Sequence, residues 1–284
     1  MKFTKMHGIG NDYIYFDCTK QDIRDPAGLA VALSDRHFGV GSDGIVMIMK
    51  SDIADFRMRM FNADGSEGKM CGNASRCIGK YVYERGLTNK TTVTLETLGG
   101  IKTLNLSVVD ESVVSVNVNM GQAVLEPAKI PVLLGGESII DREVLLAGEK
   151  RKITCVSMGN PHCVIFTDGV DDLDLEKIGP TFENDPIFPE KVNTEFVEII
   201  DDKTLKMRVW ERGSGETWAC GTGASSVCVA AVCCGICKRN TDVTVKLRGG
   251  DLIINYNDDG TVYMNGPATF VFDGETTKEF DIYA

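Results

Sequence analysis

The feature that most constrains this chain is an internal duplication. One stretch reads Glu67-Gly68-Lys69-Met70-Cys71-Gly72-Asn73-Ala74-Ser75-Arg76 and runs on through Cys77-Ile78 to Val82. A second reads Glu216-Thr217-Trp218-Ala219-Cys220-Gly221-Thr222-Gly223-Ala224-Ser225 and runs on through Val227-Cys228-Val229. Each is a glutamate, three residues, Cys-Gly-polar-small, and then an apolar run. The two cysteines stand 149 positions apart, and the same spacing relates Asn11 to Asn160 and Asn62 to Glu211. Gly99-Gly100 matches Gly249-Gly250 with one further residue inserted. Self-similarity this long marks the duplication of a whole structural unit rather than a solenoid. A chain of 284 residues would normally divide into two domains in any case.

Each copy ends a polar, glycine-rich loop in a cysteine and then opens a helix. A thiol at that point sits in the partial positive charge of the helix start, which is expected to lower its pKa and make a thiolate available. The glycines that follow let a ligand approach the backbone closely, and the first-turn N–H groups are suited to an anion.

Composition excludes several alternatives. The net charge is −11, which disfavours a phosphate-backbone partner, so no nucleic acid is expected. The N-terminal Met1-Lys2-Phe3-Thr4-Lys5-Met6-His7 leads into a polar loop rather than an apolar leader, and the longest apolar stretch, 227–236, is too short to span a bilayer. A soluble, cytoplasmic protein is the expectation, with no membrane partner. Ten cysteines in such a chain read as mostly buried, reduced thiols.

In order, strands are expected over 13–17, 45–49, 56–61, 91–97, 101–109 and 113–120. A helix follows Asp25-Pro26, and another follows Cys71 and stops at Gly86. Pro127 to Pro131 reads as the crossing between halves. The second half repeats the plan, with strands over 152–157, 162–167, 193–199, 204–211, 243–247, 252–257, 262–265 and 268–272. A short helix over 173–179 is expected to stop at Pro180. The helix after Cys220 is expected to run through Ile236 and, being apolar on nearly every side, to be buried. Phe38-Gly39-Val40-Gly41-Ser42-Asp43-Gly44 lacks the Gly-Lys-Ser/Thr ending of a phosphate loop.

Two thiols that faced one ligand from opposite sides could invert a stereocentre next to a carboxylate, one taking the α-proton while the other returns one. An amino-acid α-proton is many pKa units weaker than a thiol near 8.5, at about 1.4 kcal/mol per unit. Preorganised N–H groups on the carboxylate must therefore carry much of the cost of ionisation.

At these residues the chain resembles the diaminopimelate epimerase family. The resemblance rests on Gly8-Ile9-Gly10-Asn11-Asp12, Phe38 to Gly44, Asn62-Ala63-Asp64-Gly65-Ser66, Cys71-Gly72-Asn73, Gly159-Asn160-Pro161-His162, Asn193, Glu211-Arg212-Gly213 and Ala219-Cys220-Gly221-Thr222-Gly223. It implies an α+β fold of two pseudo-symmetric domains, each a mostly antiparallel, barrel-like sheet around a central helix, with the site in the cleft between them. The C-terminal strands would return to the first domain, giving residues 1–120 plus 267–284 and residues 121–266. It implies a cofactor-independent isomerase of lysine biosynthesis that interconverts LL- and meso-2,6-diaminopimelate, with no metal, and a homodimer. Cys71 and Cys220 would be the catalytic thiols. Gly72, Asn73, Gly221 and Thr222 would bind the α-carboxylate. Asn11, Asn62, Asn160, Asn193 and Arg212 would hold the substrate, and His162 and Glu211 would tune the thiols and meet the ammonium group. Gly44 departs from members that carry glutamine there, which puts a side-chain contact at that point in doubt.

The competing readings are a proline racemase-like enzyme, a zinc or redox protein built on the cysteines, and a non-catalytic amino-acid binder. Cys77 and Cys228 read as packing. Cys234-Gly235-Ile236-Cys237 has Cys-x-x-Cys spacing but lacks a second ligand pair.

Overall fold

The computed structural model describes residues 1–283. The chain forms two compact units, Met1–Val118 with Gly266–Ala284, and Asn119–Asn265.

In the first unit, β1 (Lys2–Gly8) and β2 (Asn11–Asp17) form a hairpin. Its turn places Ile9 and Gly10 at φ 49° and 90°. α1 (Pro26–Ser34) follows, capped by the Asp25 carboxylate, which accepts from the Gly28 N–H at 2.9 Å. The crossover through α1 sets β3 (Gly44–Met49) parallel to β2. β4 (Phe56–Asn62) returns antiparallel to β3 and leads through the short β5 (Glu67–Gly68) to α2 (Gly72–Glu84). α2 ends at Arg85, with Gly86 in the left-handed region at φ 69°. Then β6 (Thr92–Thr97), β7 (Gly100–Val109) and β8 (Ser112–Gln122) form a meander, β6 lying parallel to β4. α2 lies against β1 and β7. A Cβ on its Gly79 would stand 2.9 Å from Leu106 and 3.3 Å from Val116, so the absent side chain is what lets the helix sit this close to the meander. Phe3, Ile14, Phe16, Leu29, Leu33, Ile45 and Phe61 form the core beneath α1.

The second unit opens with a hairpin of β9 (Arg142–Leu146) and β10 (Glu149–Ser157), followed by β11 (Pro161–Phe166), α3 (Leu175–Glu183), β12 (Asn193–Asp201), β13 (Thr204–Glu211), β14 (Gly215–Thr217) and α4 (Gly221–Cys233). β15 (Asp242–Leu247), β16 (Gly250–Tyr256) and β17 (Thr261–Gly266) close the plan. β18 (Thr269–Glu275) belongs to the first unit and pairs antiparallel with β1. α4 is enclosed by β10, β11, β12, β15 and β16, and its residues 223–231 are buried, as an all-round apolar helix requires.

The duplication is visible strand by strand. Ile14 faces Ile45 across a parallel pair, and Cys163 faces Thr194 likewise. Ile45 faces Phe61 across an antiparallel pair, and Thr194 faces Trp210. α2 and α4 each have 13 residues.

Three expectations are corrected. α3 does not stop before Pro180 but passes through it to Glu183. The extra turn buries Phe182, whose ring meets Phe196 edge-on at 5.2 Å, and lets Glu183 accept from the Trp210 indole N–H at 2.8 Å; these contacts offset the one helix hydrogen bond that proline removes. α4 ends at Cys233 rather than at Ile236, because Gly235 takes φ 74° and the Ile236 and Cys237 N–H groups fold back onto the Ala231 carbonyl. β9 has no counterpart among the expected strands, and β10, expected over 152–157, begins earlier, at Glu149, to form the hairpin with it. The hairpin turn, with Ala147 at φ 50° and Gly148 at φ 82°, is of the primed type that matches strand twist.

Candidate active site

Both copies place a cysteine sulfur at a helix start by the same local means. Cys71 is the N-cap of α2, with extended φ and ψ of −133° and 120°, and its Sγ accepts from the Ala74 N–H at 3.4 Å. Cys220 is the N-cap of α4 at −121° and 105°, and its Sγ accepts from the Gly223 N–H at 3.3 Å. In this position serine or aspartate is the common side chain. A sulfur there takes the capping hydrogen bond and stands at the positive end of the helix.

In the first unit the Cys71 thiol donates to Asn11 Oδ1 at 3.6 Å, and Asn73 Nδ2 donates to the same oxygen at 3.1 Å. Asn11 Nδ2 in turn donates to Asp43 Oδ2 at 2.7 Å, so the amide is oriented from behind. Burial works against the Asp12 charge, but Lys5 and Arg36 hold its carboxyl below the usual range; burial and then the charge of Asp12 push Asp43 up. Arg76, wholly buried on α2, donates from Nε to the Pro267 carbonyl at 3.1 Å, and burial lowers the pKa of its guanidinium. Asn62 is held within its own turn, its Nδ2 donating to Ser66 Oγ at 3.0 Å. Its strand partner is Gly44, where a Cβ would lie 2.0 Å from the Phe61 carbonyl oxygen. This backbone has no room for a side chain at residue 44.

In the second unit His162 and Glu195 are fully buried and joined at 2.6 Å between Nδ1 and Oε1. His162 Nε2 lies 3.0 Å from Asn160 Oδ1, Asn160 Nδ2 donates to Thr222 Oγ1 at 3.4 Å, and Thr222 Oγ1 lies 3.6 Å from Cys220 Sγ. Burial, then the negative charges of Glu211 and Glu195, push the Cys220 thiol well above its ordinary value, although Thr222 and Gly223 pull it down. The expected lowering at the helix start is therefore reversed at Cys220, because desolvation of a thiolate outweighs the helix end. Glu211 accepts from the Thr217 hydroxyl.

Asn193 and Arg212 are brought together through the Arg212 backbone N–H. Asn193 is buried, donating from Nδ2 to the Pro161 carbonyl at 2.8 Å and accepting the Arg212 N–H on Oδ1 at 2.9 Å. The Arg212 guanidinium donates to the Glu190 carbonyl at 2.8 Å. Asn193 thus braces the loops carrying Pro161 and Arg212. Sequence reasoning did not single out Glu195. A signal existed: Glu195 matches Val46 at the duplication spacing, and an acid where the other copy has a buried valine calls for a partner.

The ten cysteines carry free thiols, with Cys77 and Cys228 fully buried on their helices. Among the described residues no helix is long and apolar enough to cross a membrane.

The family model described as diaminopimelate epimerase matches residues 3–126 and 154–271. A diaminopimelate epimerase of Acetivibrio thermocellus is 56% identical over 276 residues, covering 97% of this chain and 98% of that protein. One of Methanococcus maripaludis is also 56% identical, covering 97% and 99%. Among solved structures, a phenazine biosynthesis protein of the PhzF family from Bacillus anthracis matches with a TM-score of 0.70 at 17% identity, covering 98% of this chain and 99% of that one. A hydroxyproline epimerase from Agrobacterium vitis matches with a TM-score of 0.66 at 15% identity, covering 96% and 91%. These two likenesses bear on the fold, a mixed α+β architecture shared with such epimerases.

Proposed function

The chain belongs to the diaminopimelate epimerase family, and on that premise we propose how its two copies share the chemistry. It is an isomerase that interconverts stereoisomers of diaminopimelate. In the proposed mechanism Cys71 and Cys220 act on opposite faces of one α-carbon. A thiolate on Cys71 takes the α-proton while the Cys220 thiol delivers its own to the other face. The reverse reaction exchanges the roles. The observation that carries this is the twofold occurrence of a cysteine sulfur as the side-chain cap of a 13-residue helix.

The first-turn N–H groups at Gly72 and Asn73, and at Gly221 and Thr222, are the donors for the α-carboxylate. They stabilise the charge that grows on its oxygens as the proton leaves, where a thiol alone falls many units short. The raised state of Cys220 suits the acid of the pair. Asn11, Asn62, Asn160, Asn193 and Arg212 hold the rest of the substrate, and His162 and Glu211 set the charge around Cys220. LL- and meso-2,6-diaminopimelate are the proposed pair. We further propose a cytoplasmic homodimer, for which a monomer mass in sedimentation would be the contrary result.

The test is single replacement of each thiol. Cys71→Ala and Cys220→Ala are each expected to abolish epimerisation, followed as deuterium entering the α-carbon from heavy water. Undiminished turnover in either variant sinks the two-thiol mechanism.

A further inference from the structure

Five groups of the second unit form one unbroken chain of hydrogen bonds that ends on a thiol. It begins at Glu195 Oε1, crosses His162 by its two ring nitrogens at 2.6 and 3.0 Å, passes through the Asn160 amide to Thr222 Oγ1 at 3.4 Å, and reaches Cys220 Sγ at 3.6 Å. The donors and acceptors fix its polarity. Asn160 Oδ1 can only accept, so Nε2 of His162 carries a hydrogen in this arrangement. Asn160 then gives an N–H to Thr222 Oγ1, which leaves the Thr222 hydroxyl hydrogen for the sulfur. Together with the Gly223 N–H at 3.3 Å, two donors meet a thiolate on Cys220. If Nε2 loses its hydrogen, the amide must turn over. Its oxygen then takes the Thr222 hydroxyl hydrogen, and Thr222 Oγ1 can only accept from a Cys220 thiol. Protonated His162 goes with the thiolate, and neutral His162 goes with the thiol.

We propose that Glu195 is a positioning residue that keeps one proton on the His162 Nδ1 side, so that the proton His162 gains or loses is the one on Nε2, the nitrogen Asn160 reads. The carboxylate and the Nδ1 side of the ring share a single hydrogen across their 2.6 Å contact, which leaves Nε2 as the ring nitrogen that faces Asn160. Once Cys220 has given its proton to the substrate carbon, the arrangement with a hydrogen on Nε2 is the one in which Thr222 presents its hydroxyl to the new thiolate. Burial pushes the Glu195 carboxyl up while His162 pulls it down, as a shared proton requires. The other titratable groups facing the chain are Glu211 on β13, Cys163 on β11 and Cys220 itself. The first copy has Val46 and Tyr13 at the matching positions, so this device belongs to Cys220 alone.

The inference rests on the two-thiol reading, but its first test needs no turnover. The protein has 3 histidines, so long-range nitrogen–proton spectra of histidine-labelled protein resolve each ring through a pH series. His162 is expected to keep Nδ1 protonated throughout while Nε2 titrates; titration at Nδ1 overturns the proposal. In Glu195→Gln the Nδ1 signal should become a mixture of tautomers, and an unchanged spectrum is a contrary result. The kinetic test is a cycle with Thr222→Val. Each single change should lower kcat by about tenfold to a hundredfold, the worth of one hydrogen bond to a charged sulfur. The double variant should be no slower than Thr222→Val alone, since both break one chain; losses that multiply refute the coupling. If Glu195→Gln fails to fold, the wild-type titration still decides. An inactive Cys220→Ala alongside multiplying losses would leave the two-thiol reading standing and remove only Glu195's role.

Discussion

Gly223→Ala separates the geometry of the reacting sulfur from the stability of the fold. A Cβ at residue 223 would stand 2.8 Å from Glu195 Oε1, 3.2 Å from Cys220 Sγ and 3.3 Å from Cys220 Cβ. An ordinary carbon–oxygen contact needs about 3.3–3.6 Å, so something must give by about half an ångström. Glu195 is held by His162 at 2.6 Å and is fully buried, which leaves the sulfur and the start of α4 to move. Alanine gains about 1 kcal/mol over glycine inside a helix, and overpacking costs about 1–3 kcal/mol. The net loss of stability is therefore at most about 2 kcal/mol. A displacement of about 1 Å at a reacting atom costs about a hundredfold in rate, so half of that predicts a fall in kcat of about tenfold or more, with KM changed far less. The matching residue in the first copy is Ala74, and the match of Glu195 there is Val46. A methyl is tolerated at the start of α2 because no carboxylate is buried behind it. Steady-state kinetics with a urea unfolding curve on the same preparation decide the matter. A kcat within about twofold of wild type, or a loss of rate that follows the loss of folded protein, would refute the reasoning.

Gly44→Gln is expected to destabilise the first unit by about 2–4 kcal/mol without lowering KM, because its Cβ would overlap the Phe61 carbonyl at 2.0 Å; a tighter KM at wild-type stability is the contrary result. Asp273 accepts from the Thr4 hydroxyl at 2.6 Å and from Arg85 at 2.7 and 2.8 Å, and these partners hold its carboxyl below the usual range. A carboxyl lowered in the folded state contributes stability that is present above about pH 4 and is lost as pH falls through the folded value. Asp273→Asn should therefore flatten the fall of Tm on the acid side of pH 4, and identical acid limbs in variant and wild type would count against it.

The duplication was legible in the sequence because a copied unit repeats its residue types at a fixed spacing, and the strands keep that spacing in their pairing. The helix starts at Cys71 and Cys220 were legible for a local reason: a cap needs only a few consecutive residues, and Cys-Gly before an apolar run contains them all. The helix ends were less so. Pro180 remains inside α3 because Phe182 and Glu183 find partners on β12 and β13, and such partners lie far away along the chain. The pKa of Cys220 moves opposite to what its position at a helix start predicts, since burial and the charges of Glu211 and Glu195 raise it. Burial is a property of the packed unit, not of any short stretch. Glu195 shows the division most clearly. Its residue type and alternating strand position are one-dimensional facts, but only folding brings β11, β12 and the start of α4 together so that it meets His162 and, through Asn160 and Thr222, a sulfur.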